Sequence, residues 1–333
     1  MVEASPTFEA PRRRRGPSLR YIADSAFLIV IIYAIMAVVY IAVQPSALSA
    51  YSVESLFNNS LPLMLAAAGA TFVILQGGFD LSVAGTISLV NVTIAVLPME
   101  GAGGALALLG LSLLIGITVG AINGFIVAYL RIQAIAATLA TMIICQGLAL
   151  VILKAPGGFV SDFIVYELTG SLIDRLPIAL VIALAIIAFW TLFSRLDAGR
   201  NLLAVGQDRK AAALSGINVA RTEFLAFVWA GAFYALAAYM LAAQTSTGNP
   251  SAGEPFLLLT FAAVALGGTA FGGGRGGVTA SIFGAATLML MQKVLFSLGV
   301  SSFYTGVIQG MIMILAVLFS AAVHHAAKAR GGS

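Results

Sequence analysis

The sequence reads QGGFDLS at residues 76–82 and LGGTAFG at residues 266–272, so a glycine-rich phrase occurs twice. Each phrase follows one apolar run and precedes another, GTISL at residues 85–89 and GVTAS at residues 277–281. Many transporters build their pathway from internal repeats that contain interrupted helices. The duplication therefore predicts a membrane protein made of two repeats, and it favours transport as the function.

The composition is that of an integral membrane protein. Hydrophobic residues make up 60% of the 333 residues, charged residues make up 9%, and the mean hydropathy is +1.03. A soluble domain carries charge on roughly a quarter of its residues, and a helix needs about 20 apolar residues to cross a bilayer. We therefore expect an all-α integral membrane fold with about ten transmembrane helices. The apolar segments that predict them are residues 21–43, 56–75, 83–98, 104–130, 134–153, 176–194, 222–243, 256–270, 278–298 and 302–323.

The distribution of charge predicts the orientation of these helices. Lysine and arginine concentrate in cytoplasmic loops, and Arg12 to Arg15 precede the first apolar segment. When this end is placed inside, almost every other loop cation also falls inside, so we expect both termini in the cytoplasm. The acidic residues that fall outside are Glu54, Glu100, Asp162, Glu167, Asp174 and Glu254. The predicted divisions are a tail at residues 1–20, a transmembrane domain at 21–323 with repeats at about 56–153 and 222–323, and a tail at 324–333.

A charged loop at residues 195–221 interrupts the apolar pattern. Gln207 or Asp208 can cap a short helix that continues through Leu214, and Gly216 can end it. A short, alanine-rich, charged helix has no role facing lipid, so we interpret it as a helix that docks onto a cytoplasmic partner. The alternative is a surface linker. The sequence contains no Gly-Lys dipeptide, so this chain has no Walker A loop with which to hydrolyse ATP.

The glycine pairs allow two interpretations. Those at residues 77–78 and 267–268 end short apolar helices, where glycine accommodates the left-handed backbone of a helix C-terminus. The phrases are then tight turns at the cytoplasmic surface, or breaks in helices that turn into the interior and line a pathway. With the orientation above, both lie on the same side of the membrane. We expect Asp80 to cap the helix that starts near Ser82 rather than to relay protons.

These segments resemble the permease subunits of monosaccharide ABC importers, those of the ribose, xylose, arabinose and galactose type. GGFDLSV at residues 77–83 is similar to that family's G-G-[IF]-D-L-S-V phrase, and GGTAFGGGRG at residues 267–276 is similar to its G-G-T-x-x-x-G-G-R-G phrase. Residues 199–217 fit its cytoplasmic coupling segment, and the similarity covers roughly residues 50–320. Lys293 departs from the pattern, in which a neutral residue such as Asn is expected.

The resemblance implies a fold of the vitamin-B12-importer-like (type II) kind in the bacterial inner (cytoplasmic) membrane. It implies two permease subunits that work with a cytoplasmic ABC ATPase and with a periplasmic or extracellular sugar-binding protein. ATP and Mg would be held by the ATPase, and this chain would carry no cofactor and bind no nucleic acid. Pentoses, hexoses and polyols all remain open as substrates.

The resemblance also implies roles for individual residues. A helix at residues 204–217 would contact the ATPase and move as a rigid body. The residues expected to couple to the ATPase are Arg200, Ala204, Gly206, Gln207, Asp208, Arg209, Ala212 and Gly216. Those expected to form structural glycine loops are Gly77, Gly78, Asp80, Gly267, Gly268 and Arg275. Those expected to dock the binding protein are Asp162, Glu167 and Glu254.

Polar residues inside the predicted spans are candidates for the pathway. Amides can hydrogen-bond a neutral sugar without supplying a counter-charge, and Lys293 is an intramembrane cation, which by default suggests a functional site. For each amide the alternative is an ordinary interhelical hydrogen bond, and for Lys293 it is a side chain that extends to the outer surface. The candidates are Asn58, Asn59, Asn91, Asn123, Gln146, Gln292, Lys293 and Gln309.

Other functions fit less well. A branched-chain amino acid ABC permease would need groups that match the charges of its substrate. A proton-coupled secondary transporter would need a relay of buried ionisable residues, for which only Asp80 and Lys293 are near. A channel would leave the coupling loop without a role, and the spans hold no suitably spaced pair of groups for an enzyme. We expect no catalytic or metal site, because Cys145 is a packing residue and the two histidines lie in the C-terminal tail.

Overall fold

The computed structural model of the chain describes residues 19–97, 99–173 and 176–301, together with residues 304, 306, 307, 310 and 311. Several predictions concern residues outside this part. These are the arginines at 12–15, Asp174, Gln309, the histidines at 324–325 and most of the tenth apolar segment.

The first nine predicted apolar segments are helices in the structure, and shorter elements connect some of them. In chain order the elements are α1 (Leu19–Val43), α2 (Ala50–Leu75), α3 (Val83–Val96), α4 (Gly101–Ala128), α5 (Ala134–Ile152), α6 (Asp162–Thr169), β1 (Ser171–Ile173), β2 (Leu176–Pro177), α7 (Ile178–Phe193), α8 (Asp197–Gln207), α9 (Arg209–Leu214), α10 (Val219–Thr245), α11 (Glu254–Leu266) and α12 (Val278–Ser297). The two strands form one antiparallel hairpin.

Five of these helices, α2, α4, α5, α10 and α12, are long and apolar enough to cross a membrane. A sixth span is reached if α7 and α8, which are bent by 77° from each other, are counted together. Helices α3 and α11 have 14 and 13 residues, or about 20 Å, less than the roughly 30 Å of a bilayer core. The chain is therefore an all-helical, multi-pass membrane protein, and the number of about ten spans stays a prediction.

Helix α2 lies at the centre of the molecule. Every residue from Ser60 to Leu75 is buried, and α2 packs against α10, α12, α11 and α7. Small residues permit close packing in lipid, and a side chain at Gly69 would collide with α10. Phe72 packs against aromatic rings of α7 and α10, including Trp190 and Phe233. The helix that precedes the first glycine phrase is thus held on several sides.

Helices α4 and α10 make the most extensive helix–helix contact. Gly116, Gly120 and Gly124 recur every fourth residue along α4, and each faces the backbone of α10 with no room for a Cβ atom. Such a spacing of small residues lets two helix backbones approach closely. The outward faces of α4 and α5 carry exposed apolar side chains, such as Leu106 and Ile143. Those faces are available to lipid or to another subunit.

The loops near the first residues of α2 are joined to one another. Gly157 and Gly248 form a β-bridge between the loop after α5 and the loop after α10. Ser161 donates a hydrogen bond to Glu100, and Ser171 donates one to Glu54 near the start of α2. Because α2 has 26 residues, this end lies about 39 Å from the end that precedes the first glycine phrase.

Candidate functional site

The two glycine phrases form the same kind of turn. Gly77 and Gly268 have left-handed backbones, with φ of +81° and +77°. In each phrase the N–H of this glycine donates to the carbonyl oxygen three residues before it. The N–H of the next residue donates to the carbonyl oxygen five residues before it, from Gly78 to Val73 and from Thr269 to Val264. These are Schellman motifs, which satisfy the last carbonyls of a helix. The prediction that glycine ends both helices is confirmed.

The turns also meet each other, as expected for phrases on one side of the membrane. The Gly274 N–H donates to the carbonyl oxygen of Leu75, the last residue of α2, at 2.7 Å. A Cβ atom at Gly273 would lie 2.8 Å from Gly77 N and 3.0 Å from Gly206 O, and one at Gly206 would collide with Leu75 O. We call the contact between Gly77, Gly206 and residues 272–274 the glycine junction. It joins α2, the second phrase and α8 through backbone atoms.

The predicted coupling helix at residues 204–217 is not a single helix. Helix α8 ends at Gln207, and Asp208 has an extended backbone with φ of −160° and ψ of 107°. Asp208 then caps α9, since its Oδ1 accepts from Lys210 N at 2.9 Å and from Ala211 N at 3.1 Å. Gly216 follows with φ of +85°. The predicted cap and stop are confirmed, whereas the expectation of one rigid helix is wrong because the cap requires a non-helical residue.

The residues predicted to couple divide into two groups. Gly206 packs in the glycine junction, Ala212 is buried, and Ala204 is half-buried. The exposed members are Arg200, Gln207, Asp208, Arg209 and Gly216. Gln207 also reaches back, with its Nε2 3.5 Å from Gly274 O. The inward group fixes the segment to the transmembrane helices, and the outward group lies at the surface of the molecule.

Leu214 is the most exposed large apolar residue of this segment, with 91% of its surface accessible. It ends α9, next to the capping turn at Ser215 and Gly216. We did not single it out from the sequence. The sequence signal that could have found it is a single leucine at the end of a short surface helix whose other residues are Arg, Lys and three alanines. An exposed apolar side chain on a rigid, capped helix is suited to a pocket on another protein.

Glu223 was also missed by the sequence predictions. It lies in the second turn of α10, where its side chain is only 4% accessible, and it forms an ion pair with Arg209 of α9. Arg131, which follows α4, lies 3.7 Å from the other carboxylate oxygen. No nearby motif marks this residue, because its partners come from distant parts of the sequence.

A cavity of about 450 Å³ adjoins this group of charges. It is bounded by the first glycine phrase, by the turn between α4 and α5, and by the beginnings of α9 and α10. Gln76, Arg131, Gln133, Arg209 and Glu223 supply its polar lining. The cavity thus lies beside the ion pairs, between the first glycine phrase and the turn after α4.

Asp80 belongs to a buried hydrogen-bond network. Its Oδ1 accepts from Ser82 N at 3.0 Å and from Ser82 Oγ at 2.5 Å. Asn123 donates to Ser82 Oγ at 2.9 Å and accepts from Thr141 at 2.8 Å. Ser82, not Asp80, holds the N-cap position of α3, so Asp80 fixes the turn instead of capping the helix. Burial, the largest influence, raises the pKa of Asp80 from 3.8 to about 6, and its hydrogen bonds with Ser82 act to lower it.

The predicted pathway residues do not gather in one cavity. Asn91 and Asn123 are buried, and Asn91 accepts from Asn249 N at 2.7 Å. Gln146 donates to Glu254 at 2.5 Å, and Gln292 is half-buried on α12. Within the described residues most of these amides take part in contacts between elements of this chain, which fits the alternative interpretation. Their role in a pathway stays a prediction.

A second polar group surrounds the beginning of α2. Lys293 of α12 donates to Ser55 Oγ at 2.9 Å. Asn59 donates to Ser55 O at 2.5 Å and accepts from Gln244 of α10, while Asn58 donates to Thr169 O at 2.6 Å. Three of the predicted residues therefore lie together at this end, opposite the glycine junction.

The three residues predicted to dock a binding protein are exposed. Asp162 and Glu167 belong to α6, and Glu254 begins α11. Arg275 lies in the second glycine phrase, where its carbonyl accepts from Ala270 N at 3.0 Å. Among the described residues, no three His, Cys, Asp or Glu side chains are placed to hold a metal ion.

Known proteins match most of the chain. Residues 52–317 match the family described as branched-chain amino acid transport system / permease component. The chain is 33% identical to the ribose import permease protein RbsC of Bacillus subtilis (strain 168), over 93% of this chain and 94% of that protein. No solved structure matches it significantly.

Further relatives carry the names of other sugars. The L-arabinose transport system permease protein AraH of Escherichia coli (strain K12) is 30% identical over 77% of this chain and 78% of its own length. The D-allose transport system permease protein AlsC of the same strain is 30% identical over 86% of this chain and 88% of its own length. These names confirm the resemblance to monosaccharide importer permeases. Because the family match spans most of its residues, the chain belongs to the family of branched-chain amino acid transport system permease components.

Proposed function

We propose that this chain is the membrane permease subunit of an ATP-driven, binding-protein-dependent importer of a monosaccharide. The structural observation that carries the proposal is α9, a capped and exposed helix held by α8 on the glycine junction. A transport subunit that uses ATP bound to a partner needs a rigid external contact of this kind. The names of the relatives, which specify ribose, L-arabinose and D-allose, support a sugar as the substrate.

The partners follow from this assignment. Two permease subunits form the pathway, a cytoplasmic ABC ATPase holds ATP and Mg, and a periplasmic or extracellular protein delivers the sugar. The chain lies in the bacterial inner membrane with both termini in the cytoplasm, about ten spans and the type II fold. Charged residues are scarce in most of the sequence, and arginines cluster in the segment at residues 195–221. Both features support this orientation, because cytoplasmic loops are rich in lysine and arginine.

The coupling segment carries the movement of the ATPase into the membrane. Leu214 enters a pocket on the ATPase, and Arg200, Gln207 and Asp208 supply polar contacts around it. Closure of the ATPase subunits displaces α9 as a short rigid body. Helix α8, packed through Gly206 on Leu75, passes the displacement to α2.

The opposite end of α2 receives the sugar. Asp162 and Glu167 form exposed acidic points there that fit basic patches on a binding protein, and Glu254, which accepts from Gln146 of α5, is a third acidic candidate. Charges at the rim of an interface chiefly set the association rate and the orientation of the partners. The amides Asn58 and Asn59, with Lys293, provide hydrogen-bonding groups for a neutral polyhydroxylated solute.

Substitution of Leu214 tests the coupling contact. Leu214→Asp should abolish co-purification of the ATPase and ATP-dependent uptake of labelled ribose, arabinose or allose into proteoliposomes, because a charge would enter an apolar pocket. Leu172→Asp is the matched control, since Leu172 is also exposed, at 65%, but lies near the other end of α2. The control should keep the ATPase, because Leu172 lies at the opposite end of the molecule from α9. Retention of the ATPase by Leu214→Asp would contradict the assigned contact.

A further inference from the structure

We propose that Glu223 is a positioning residue that transmits movement of α9 to α4 and α10. The inference rests on the proposed function, since it assumes that α9 receives force from an ATPase. It adds a second connection to the one made by the glycine junction. The junction joins α8 to α2, whereas Glu223 joins α9 to the two helices that pack most extensively together.

The three charges come from three separate elements. Arg209 begins α9, Glu223 lies near the start of α10, and Arg131 lies in the turn after α4. Apart from its chain neighbour α8, the helix that α9 contacts most is α10. The carboxylate is therefore the ionic link between the coupling helix and the transmembrane helices.

The burial of the three groups differs in a way that suits this role. The Glu223 side chain is 4% accessible, whereas those of Arg209 and Arg131 are 53% and 59% accessible. The carboxylate is fixed in the helix packing, and the arginines can move with their own elements. Apolar residues of similar size often stabilise a protein as well as a buried charge and its partner do, so the burial of this carboxylate is weak evidence for a purely stabilising role.

Two further features distinguish this place. Arg131 has a left-handed backbone with φ of 61°, which is uncommon for a residue other than glycine. The cavity of about 450 Å³ adjoins Arg209, Arg131 and Glu223, so α9 has space toward which it can shift. Elsewhere α4 and α10 touch through backbone atoms with no such space. Displacement of Arg209 would thus pull on the end of α10 and release or tighten Arg131.

The test uses the complete importer, reconstituted with its ATPase and loaded binding protein, and measures solute taken up per ATP hydrolysed. Glu223→Gln should lower this ratio by about tenfold, because α9 would then move without α10 and α4. Arg221→Gln is the matched control. It removes an exposed charge from the first turn of the same helix, α10, at a position with no assigned contact to the ATPase, and the ratio should be unchanged.

A double-variant comparison separates positioning from general damage. Arg209→Gln should lower the ratio as Glu223→Gln does, and the double variant should lose no more than either single variant, because one link is removed in all three. Arg209→Gln also leaves the buried carboxylate beside Arg131, so it serves if Glu223→Gln does not fold. Additive losses, or an unchanged ratio in either single variant, would overturn the inference. Failure of the unsubstituted complex to couple uptake to ATP would instead overturn the proposed function.

Discussion

Asp80 and Glu223 are buried carboxylates with different neighbours. Asp80 accepts hydrogen bonds from Ser82 at one oxygen, and its Oδ2 has no hydrogen-bond partner within the described structure. Glu223 pairs with Arg209 at one oxygen, and its Oε2 also lacks a hydrogen-bond partner, with Arg131 3.7 Å away. Burial favours the neutral acid, and a nearby cation acts against that effect. Asp80 therefore stabilises a turn without a cation, whereas Glu223 joins three elements through ion pairs.

The pKa of Asp80 predicts a specific pH dependence of stability. Its folded pKa of about 6 lies above the ordinary 3.8, so the folded state binds the proton more tightly than the unfolded state does. The contribution of Asp80 to the free energy of unfolding is fully present below about pH 4. It is lost as the pH rises through 6, and the loss is about 3 kcal/mol in total. Asp80→Asn cannot ionise, so it should be stabilised relative to the original protein much more at pH 7.5 than at pH 4.5.

Thermal unfolding in detergent at these two pH values measures the effect. Ser112→Ala is a suitable control, because the buried hydroxyl of Ser112 donates to the carbonyl oxygen of Leu108, which does not titrate, so its shift should be the same at both values. A difference between the original protein and Asp80→Asn that is independent of pH would show that Asp80 is ionised in the folded state throughout this range.

At the scale of elements, α8 attaches the coupling segment to the transmembrane helices, and α9 stays exposed as the proposed contact with the ATPase. The break at Asp208 allows α8 to lie against α2 and the second glycine phrase while α9 stays exposed. Gly206 makes this attachment possible, because a side chain there would collide with Leu75 O. The fit depends on the absence of a single carbon atom.

Gly206→Ala tests the attachment. Alanine favours helix over glycine by about 1 kcal/mol, so a loss of stability must come from the collision, for which overpacking predicts about 1–3 kcal/mol. Gly110→Ala on α4 is the control, because a Cβ atom at Gly110 meets nothing within 4 Å. In thermal unfolding the first variant should melt lower than the original protein, and the second at the same temperature or higher. Equal melting temperatures of the two variants would contradict the packing described for the glycine junction.

At the scale of the whole molecule, the sequence predicted what depends on neighbouring residues. The first nine apolar segments, the cap at Asp208 and the glycine stops follow from patterns within a few positions, and the structure confirms them. The glycine junction, the Arg131–Glu223–Arg209 group and the exposure of Leu214 depend on contacts between distant segments. The buried amides are a further example. The sequence identifies Asn91 and Asn123 as polar residues within apolar segments, but it does not indicate that they hydrogen-bond to other parts of this chain.

The molecule places two chemically different ends about one helix length apart. The glycine junction, the cavity and α9 lie at the end of α2, and the acidic, amide-rich group lies at its beginning. An importer needs both an energy input and a solute entrance, and α2 connects them directly. A secondary transporter or a channel would not need a contact for an ATPase at one end and a docking surface for a binding protein at the other.

The most direct measurement is ATP hydrolysis by the reconstituted permease and its ATPase, with and without a binding protein loaded from a panel of monosaccharides and of branched-chain amino acids. The account predicts that a loaded sugar stimulates hydrolysis, that amino acids do not, and that Leu214→Asp removes the stimulation. Stimulation by a branched-chain amino acid alone would reassign the substrate. Solute uptake driven by a proton gradient, with no ATPase bound, would contradict the account.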